Sequence, residues 1–583
     1  MRCRPHPLAV LCALTVAALA PGAEQPWPAD VPEYKAPAAG EHPRLLFRKG
    51  DLAALKQRAR TPEGQAVVKR LRAQLDGKDG ETMTAEFNPE KGPVKSDGAG
   101  AYEGKAPLGA FTFSHAAGYG MLYQLTGEQK YAEFGRLCFE KALEGYRDRD
   151  RRYAFKAPFG ALRAGPSLGW MALGYDLCHD GWDQATREKI AQVIANYNEG
   201  QWMSLDELAA GKRQHPGSNH WGMQVGGAAL ALLAIAGDPG VDGAKVGKLL
   251  EVSQKSMVRN LTEGFGDGGF FAEGDGTGSM SSHIVFLPAL QAWRVAGGKD
   301  FIAPRPNAQW ASLKWFFLSV PRPGAAPPQW FWPQRGGYPH NIWGRDDISG
   351  GGYFSEGFGV AAGDGQKAAI LWFYNHSGLR ELDEKNGTPL DTPSHYPHHS
   401  ILSLVNWPIG MTEKNPGGII PHAYRDTKWG FYAWRNRWQD ADDVVISILT
   451  RAAKGNMGAK GEGSLSIWTG SGKGRAWGSI RGGFTGEWAP AGDGSTVLTT
   501  GDGSSLAIDF SRASGADVML VMAGPGAPAA GAIDVGGTKL SFLFPGKGES
   551  PKPAVQGEQV VVGEQTVSFD GKRIVLGRMG AGK

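Results

Sequence analysis

The sequence predicts an α+β chain in two parts, an N-terminal (α/α) toroid followed by a C-terminal antiparallel β-sandwich. Three observations predict it. From Phe113 onward, apolar residues recur at helical spacing in segments separated by short glycine or acidic turns. Beyond Thr392 the pattern changes to short runs of β-branched and aromatic residues bounded by turn residues. The two kinds of element are segregated rather than alternating, which argues against a doubly wound nucleotide-binding sheet, so the glycine-rich loops receive no phosphate-binding reading. At 583 residues the chain has room for two or three domains. The expected limits are a leader over 1–23, the toroid over 24–391 and the sandwich over 392–583.

The leader is a charged start, Met1-Arg2-Cys3-Arg4, then an apolar run from Leu8 to Ala20 ending in small residues. This is the layout of an export signal cleaved after Ala20 or Ala23, so a secreted or periplasmic location is expected. The run is short of the roughly 20 apolar residues a membrane span needs, and no later stretch supplies them. Cys3 and Cys12 leave with the leader. Cys138 and Cys178 remain, either paired or as two buried thiols.

In the helical part, Asp51 is placed to cap a helix beginning at Leu52, and 76–105 is loop-like. Helices are expected over Ser114–Leu125, Gln129–Tyr146, Leu168–His179, Asp183–Asn198, Gly222–Ala236, Ala244–Leu261, Ser281–Ala296, Trp310–Leu318 and Lys367–His376. So many antiparallel hairpins close a ring or stack as a solenoid. Strands are expected over Ser400–Val405, Lys428–Arg437, Asp443–Leu449, Ser464–Trp468, Thr496–Thr499, Val518–Met522, Gln559–Val562 and Thr566–Phe569.

The formal charge is +4, and two of the positive charges belong to the leader. A balance this close to neutral does not imply nucleic-acid binding by bulk electrostatics and no nucleic-acid partner is expected, so an anionic partner has to be held locally. The 86 glycines mean many turns, and the 19 tryptophans offer flat faces both to a core and to sugar rings.

Two clusters carry the candidate chemistry. In His215-Pro-Gly-Ser-Asn219-His220-Trp221-Gly-Met-Gln224 an amide, an imidazole and an indole converge just before an apolar helix. Ser218 or Asn219 also suits a simple helix cap. In Gly266-Asp267-Gly-Gly-Phe-Phe-Ala-Glu273-Gly-Asp275-Gly-Thr277, which leads on to His283, a turn-rich loop carries three carboxylates. Taken alone, Asp267 reads as a turn residue, and Glu273 and His283 as the better functional candidates.

His42-Pro-Arg-Leu-Leu, Asn219-His220 before a helix, and Asp267-Gly through Glu273-Gly together resemble the heparinase II/III-like polysaccharide lyases. The resemblance implies an (α/α) toroid whose cleft holds an acidic polysaccharide or oligosaccharide, and β-elimination at a uronic acid linkage. Elimination needs the uronate charge offset before a carbanion forms at C5, which is the work the resemblance gives to Asn219 and His220. It also needs a base for the C5 proton and an acid for the leaving oxygen. Here the chain departs from the pattern. Thr277 stands where the family has a catalytic tyrosine, and Asn456-Met-Gly-Ala-Lys-Gly-Glu462 replaces its histidine and metal-binding motif, so no metal and no cofactor are expected.

Candidate replacements are Tyr338 and His340, Tyr353, the group His395-Tyr396-Pro397-His398-His399, and Tyr432 with Arg435 and Arg437. Strand alternation puts Tyr432, Trp434 and Asn436 on one face and Phe431, Ala433, Arg435 and Arg437 on the other, so Tyr432 and Arg435 do not share a cleft without a bulge. The expected catalytic set is Asn219, His220, Glu273, His283 and Tyr432. The expected substrate-binding set is Trp221, Gln224, Asp275, Tyr338, His340, Arg345, His398 and Arg435. Three functions compete: a lyase; a glycoside hydrolase pairing Glu273 with Asp275 or Asp267, for which the carboxyls must stand roughly 5 to 9 Å apart; and a non-catalytic glycan binder lined by Trp221, Trp343 and Arg345.

Overall fold

The computed structural model describes residues 27–75, 80–81, 114–146, 148, 152–273, 277–302, 316–317, 319–320, 329–330, 353–385, 390, 396–438, 443–450, 462–469, 474–546 and 549–580. The leader, Asp275, Tyr338, His340, Trp343, Arg345 and His395 lie outside them, as does nearly all of the segment from Asn456 to Glu462.

The helices are α1 (Leu52–Ala59), α2 (Pro62–Leu75), α3 (His115–Thr126), α4 (Gln129–Glu144), α5 (Ala161–Cys178), α6 (Gln184–Ala195), α7 (Leu205–Ala210), α8 (Asn219–Ile235), α9 (Gly243–Arg259), α10 (Thr277–Ala296), α11 (Tyr353–Gly359), α12 (Asp364–His376), α13 (Leu379–Lys385) and α14 (Pro397–Asn406). Helices α3, α5, α8, α10, α11 and α14 pack each on the next, and α14 returns to α3, closing an inner ring. Sequence explains which helices are inside. Apart from His220, every residue of α8 is buried, as suits a helix apolar on all sides. α9 buries Val246, Leu249 and Met257 while its lysines face outward, as suits the outer layer. Ser204 with Glu207, Asp183 and Asp242 cap α7, α6 and α9, and Gly127 and Gly145, at φ 77° and 98°, end α3 and α4. Asp51 instead accepts from Arg48 N at 2.9 Å in the 3-10 turn that precedes α1.

A buried polar network ties the chain's start to this ring. His42 Nδ1 lies 2.7 Å from Asp176 Oδ1 and Nε2 lies 3.1 Å from Asp238 Oδ2. Asp176 also accepts the backbone N–H groups of Arg44 and Leu45, and Arg44 pairs with Asp238 and donates to Ala236 O. Two carboxylates thus face one guanidinium and one imidazole in the interior. The two aspartates raise the His42 pKa against burial, the largest single influence on it, which opposes the charge. Cys138 and Cys178 are free, buried thiols whose pKa values burial pushes up.

The C-terminal part is antiparallel throughout. Two short pairs, β1 (Ala29–Asp30) with β2 (Lys299–Asp300) and β3 (Ser319–Val320) with β4 (Gln329–Trp330), belong to the helical part. Three sheets follow. The first is β5 (Ala423–Asp426), β6 (Phe431–Arg435), β7 (Val444–Leu449), β8 (Glu462–Thr469) and β9 (Arg475–Arg481) in sequential order. The second runs β10 (Phe484–Thr485), β11 (Thr496–Thr500), β12 (Ser505–Asp509), β13 (Met519–Ala523), β15 (Thr538–Leu543), β14 (Ala532–Val535). The third is β16 (Ala554–Gln556), β17 (Gln559–Val562), β18 (Gln565–Phe569) and β19 (Ile574–Arg578). One core, with Trp434, Ile446, Leu506 and Leu520, fills the space between the first and second sheets. Another, with Val521, Leu540, Val560 and Val567, lies between the second and third.

The expected helix-then-sheet order is therefore observed, with one element reversed. Ser400–Val405 belongs to α14, a helix that starts on Pro397 and packs on α2, α3 and α11. A short buried apolar run has no period that separates strand from helix, and Pro at the first turn decided for the helix. The change from helix to strand falls between Asn406 and Ala423.

Candidate functional site

The site is built where α8 begins. Ser218 is the N-cap, its Oγ accepting from His220 N at 3.3 Å. This leaves Asn219 free of the capping role. Its backbone N–H and its side-chain Nδ2 both donate to Glu273 Oε2, at 3.1 and 2.8 Å. Burial pushes the Glu273 carboxyl above the usual range, against the two Asn219 donors. Burial also holds His220 down at about 4, and the nearby Arg163 and Arg213 guanidiniums push it the same way, so its imidazole is neutral at ordinary pH. One turn further on, Gln224 is 1% exposed and neither of its amide atoms has a hydrogen-bond partner among the described residues.

Glu273 reaches Asn219 because of the hairpin before it. Gly266 N donates to Phe270 O at 2.8 Å and Ala272 N to Gly264 O at 2.9 Å, folding 264–272 back on itself. Its base delivers Glu273 to α8, and its tip carries Asp267 to the turn between β5 and β6. There Asp267 accepts from Thr427 N, Thr427 Oγ1 and Lys428 N at 2.7, 2.9 and 3.0 Å. From the sheet side, Asp426 accepts from Gly268 N and Phe270 N at 3.0 Å and from Trp429 N at 2.9 Å. Phe270 stacks on Phe431 with centroids 4.4 Å apart. The glycines are required: a Cβ on Gly266 would stand 2.0 Å from the Asp426 carboxylate, and one on Gly268 2.2 Å from Arg425 O.

The structure thus brings together Asn219, His220, Gln224 and Glu273, and places several expected residues elsewhere. Trp221 is core rather than a sugar platform: it is buried and its Nε1 donates to Ser256 O at 3.0 Å. Tyr432 is buried in the sandwich core beside Trp434, Phe484 and Trp488, on the face that alternation predicts, and cannot serve α8. Arg435 is fully buried on the opposite face, paired with Asp443 Oδ2 at 2.6 Å, donating to Phe316 O at 3.0 Å and lying 4.2 Å over the Trp438 ring. It fastens the sheet to the helical part and is not exposed to a ligand. His398 has no exposure and stacks on Trp170 at 4.0 Å, inside the ring of helices. His399 and Tyr396 beside it are buried as well. Asp267 is a docking residue, so its turn reading holds. His283 and Thr277 lie on α10 and Tyr353 opens α11.

Arg163, Arg213 and the exposed Phe159 are absent from the sequence-based set. Arg163 was obscured because α5 begins at Ala161, seven residues before the expected start at Leu168. Gly165 and Pro166 weaken the helical signal of that first stretch. Among the described residues one group, His42, His179 and Asp238, has metal-ligand spacing. The Arg44 guanidinium contacts both His42 Nε2 and Asp238, so a fixed cation already occupies that place.

No family model matches the chain, and no curated protein matches it. Among solved structures it has a distant, fold-level likeness to heparan sulfate lyase HepC from Pedobacter heparinus, with 9% identity over 92% of this chain and 95% of that one, at a TM-score of 0.39. A crystal structure of heparinase III is similar at 11% identity over 86% of this chain and 76% of that one, TM-score 0.36. Among the described residues no helix is long and apolar enough to cross a membrane.

Proposed function

We propose that the start of α8 is the reaction centre of a polysaccharide lyase that cleaves a uronate-containing glycan by β-elimination. The single observation that carries this reading is the pairing of Asn219 with Glu273 next to a neutral His220. With its Nδ2 anchored on Glu273 Oε2, the Asn219 amide has a fixed orientation and one further N–H for a substrate carboxylate. A hydrogen bond there offsets charge as the C5 carbanion develops. His220, already deprotonated, has a nitrogen lone pair with which to take the C5 proton. Glu273 acts as a positioning residue for Asn219. The acid for the leaving oxygen is sought among Asp275, His283, Tyr338, His340 and Tyr353.

The hydrolase reading is weakened on one side, because Asp267 spends its carboxylate on Thr427 and Lys428. We propose export as well, from the leader alone, and a two-domain division in which the helical part, expected to end at 391, runs on through α14 and the sheets follow from Ala423. A panel of uronate polysaccharides, followed by ultraviolet absorbance and by reducing ends, tests the reaction. Elimination yields both signals together, whereas reducing ends without absorbance overturn it in favour of hydrolysis.

A further inference from the structure

The hairpin of 264–272 meets the chain before α8 at a second place besides Glu273. Asn260 Nδ2 donates to Pro216 O at 3.3 Å, and a Cβ on Gly264 would stand 2.2 Å from the same oxygen, so the base of the hairpin lies against the backbone two residues before the Ser218 cap. A Cβ on Gly217 would stand 2.9 Å from Ala272 Cβ, so the returning arm of the hairpin presses on the same loop. Gly264 O accepts two hydrogen bonds. One comes at 2.9 Å from the backbone N–H of Ala272, the residue before Glu273. The other comes at 3.1 Å from Trp429 Nε1, in the turn between β5 and β6. Gly264 therefore joins three parts: the loop that leads into α8, the arm that carries Glu273 and the first sheet.

The turn grips the hairpin along its whole length. At the tip Asp267 accepts from Thr427 and Lys428, and behind the base Lys428 Nζ donates to Thr262 O. Between these points Phe265 and Phe271 form a bridge across the two arms, with their ring centroids 4.9 Å apart. Trp429 is buried in the core of the helical part, where an indole N–H needs an acceptor, and Gly264 O is that acceptor. The place of the hairpin's base is thus set from the sheet as well as from the helices. Both bonds from Asn219 end on one oxygen of Glu273, immediately after Ala272. A hydrogen bond weakens steeply beyond its normal length, so a shift of about 1 Å in this arm separates Asn219 from its acceptor.

We infer that Trp429 and Asp267 are positioning residues for Asn219: the β5–β6 turn, acting through Gly264 and Glu273, fixes the direction of the Asn219 amide from the far side of the hairpin. The chemical consequence rests on the lyase reading and deepens it, whereas the coupling itself is measurable without turnover. Trp429→Phe removes the indole donor and keeps an aromatic ring in the core. Asp267→Ala releases the exposed tip and leaves the core untouched. Amide hydrogen exchange of the full chain is followed over 217–221 and 264–273, with β7 and β12 as internal references. Each variant is expected to speed exchange in both segments about tenfold and to leave β7 and β12 at their parent rates. On a uronate glycan kcat is expected to fall about tenfold with KM unmoved, because the amide is still present and only its direction is lost. Faster exchange confined to 264–273, unchanged exchange throughout, or an equal rise in β7 and β12 overturns the coupling. If Trp429→Phe does not fold, Asp267→Ala decides alone. Faster exchange at 217–221 with no ultraviolet-absorbing product from the parent chain upholds the coupling and rejects elimination. Product from the parent chain with kcat unmoved in both variants does the reverse.

Discussion

Asn219 gives two hydrogen bonds to a single oxygen of Glu273, one from its backbone at 3.1 Å and one from its side chain at 2.8 Å. This fixes a neutral amide at the start of a buried helix. Removing the acceptor in Glu273→Ala leaves Asn219 free to rotate, and kcat on a uronate glycan is expected to fall by about 10²-fold. Glu273→Gln retains a carbonyl acceptor and is expected to keep more than a tenth of the activity. Complete loss in the Gln variant would instead mark Glu273 as a group that exchanges protons with substrate.

His220, held at about 4, stays neutral over the whole physiological range. Its folded value lies below the unfolded one, so the unfolded chain binds more protons between pH 4 and 6.5, and this histidine's contribution to stability rises with pH across that window. Buried His399, at about 3, acts with the same sign over a wider window. Thermal unfolding followed from pH 4 to 6.5 should show His220→Ala losing part of the pH-dependent gain that this histidine gives the parent chain. The acidic limb of the activity profile should not follow an ordinary histidine near 6.5. An NMR titration placing His220 at or above 6.5 contradicts both statements.

How much of this was legible in the sequence is plain at the start of α8 and at the hairpin of 264–272. The Asn219-His220 pair and Glu273 were identifiable because polar residues stood immediately beside an apolar helix and a glycine loop. That Ser218, not Asn219, is the cap and that Glu273 folds back onto Asn219 needed the hairpin's path, which no local pattern encodes. Strand alternation placed Tyr432 and Arg435 on opposite faces correctly, yet both faces of β6 are covered, one by the sandwich core and one by the helices. Trp221 failed as a sugar platform because an indole on an apolar helix packs inward before it serves a ligand.

Trp221 accordingly governs stability. Trp221→Ala is expected to cost about 3–5 kcal/mol in denaturant unfolding, from the cavity and the lost bond to Ser256 O. Trp221→Phe is expected to cost less and to leave glycan affinity unchanged. A large affinity loss in a stably folded Trp221→Phe contradicts the core assignment.

Asp426 joins the hairpin to the sheet through three backbone N–H groups. Burial, with the Asp267 charge adding to it, pushes its pKa up to about 7, while the three amides oppose the shift. The folded chain then holds a proton that the unfolded chain loses near pH 4, so this group's contribution falls as pH rises from about 4 to 7. Asp426→Ala strands the three donors and is expected to cost about 3 kcal/mol or more. Asp426→Asn is expected to cost less and to remove the pH dependence, as urea unfolding at pH 5 and 8 would reveal.

The buried network at the chain's start predicts a comparable loss. Asp238→Ala leaves Arg44 and His42 without their shared acceptor, and about 3–5 kcal/mol of destabilisation is expected. Equilibrium denaturation measures it, and a change below 1 kcal/mol would show that the network is not coupled to folding.

The central claim is elimination directed by Asn219 and His220. It is tested most directly by the mass of the products released from a uronate oligosaccharide of known length. Elimination adds no water, so the fragment masses must sum to that of the substrate, the fragment bearing the new non-reducing end must absorb in the ultraviolet, and both features must vanish in His220→Ala. Fragments that together weigh one water more than the substrate, or cleavage that persists undiminished in His220→Ala, contradict it.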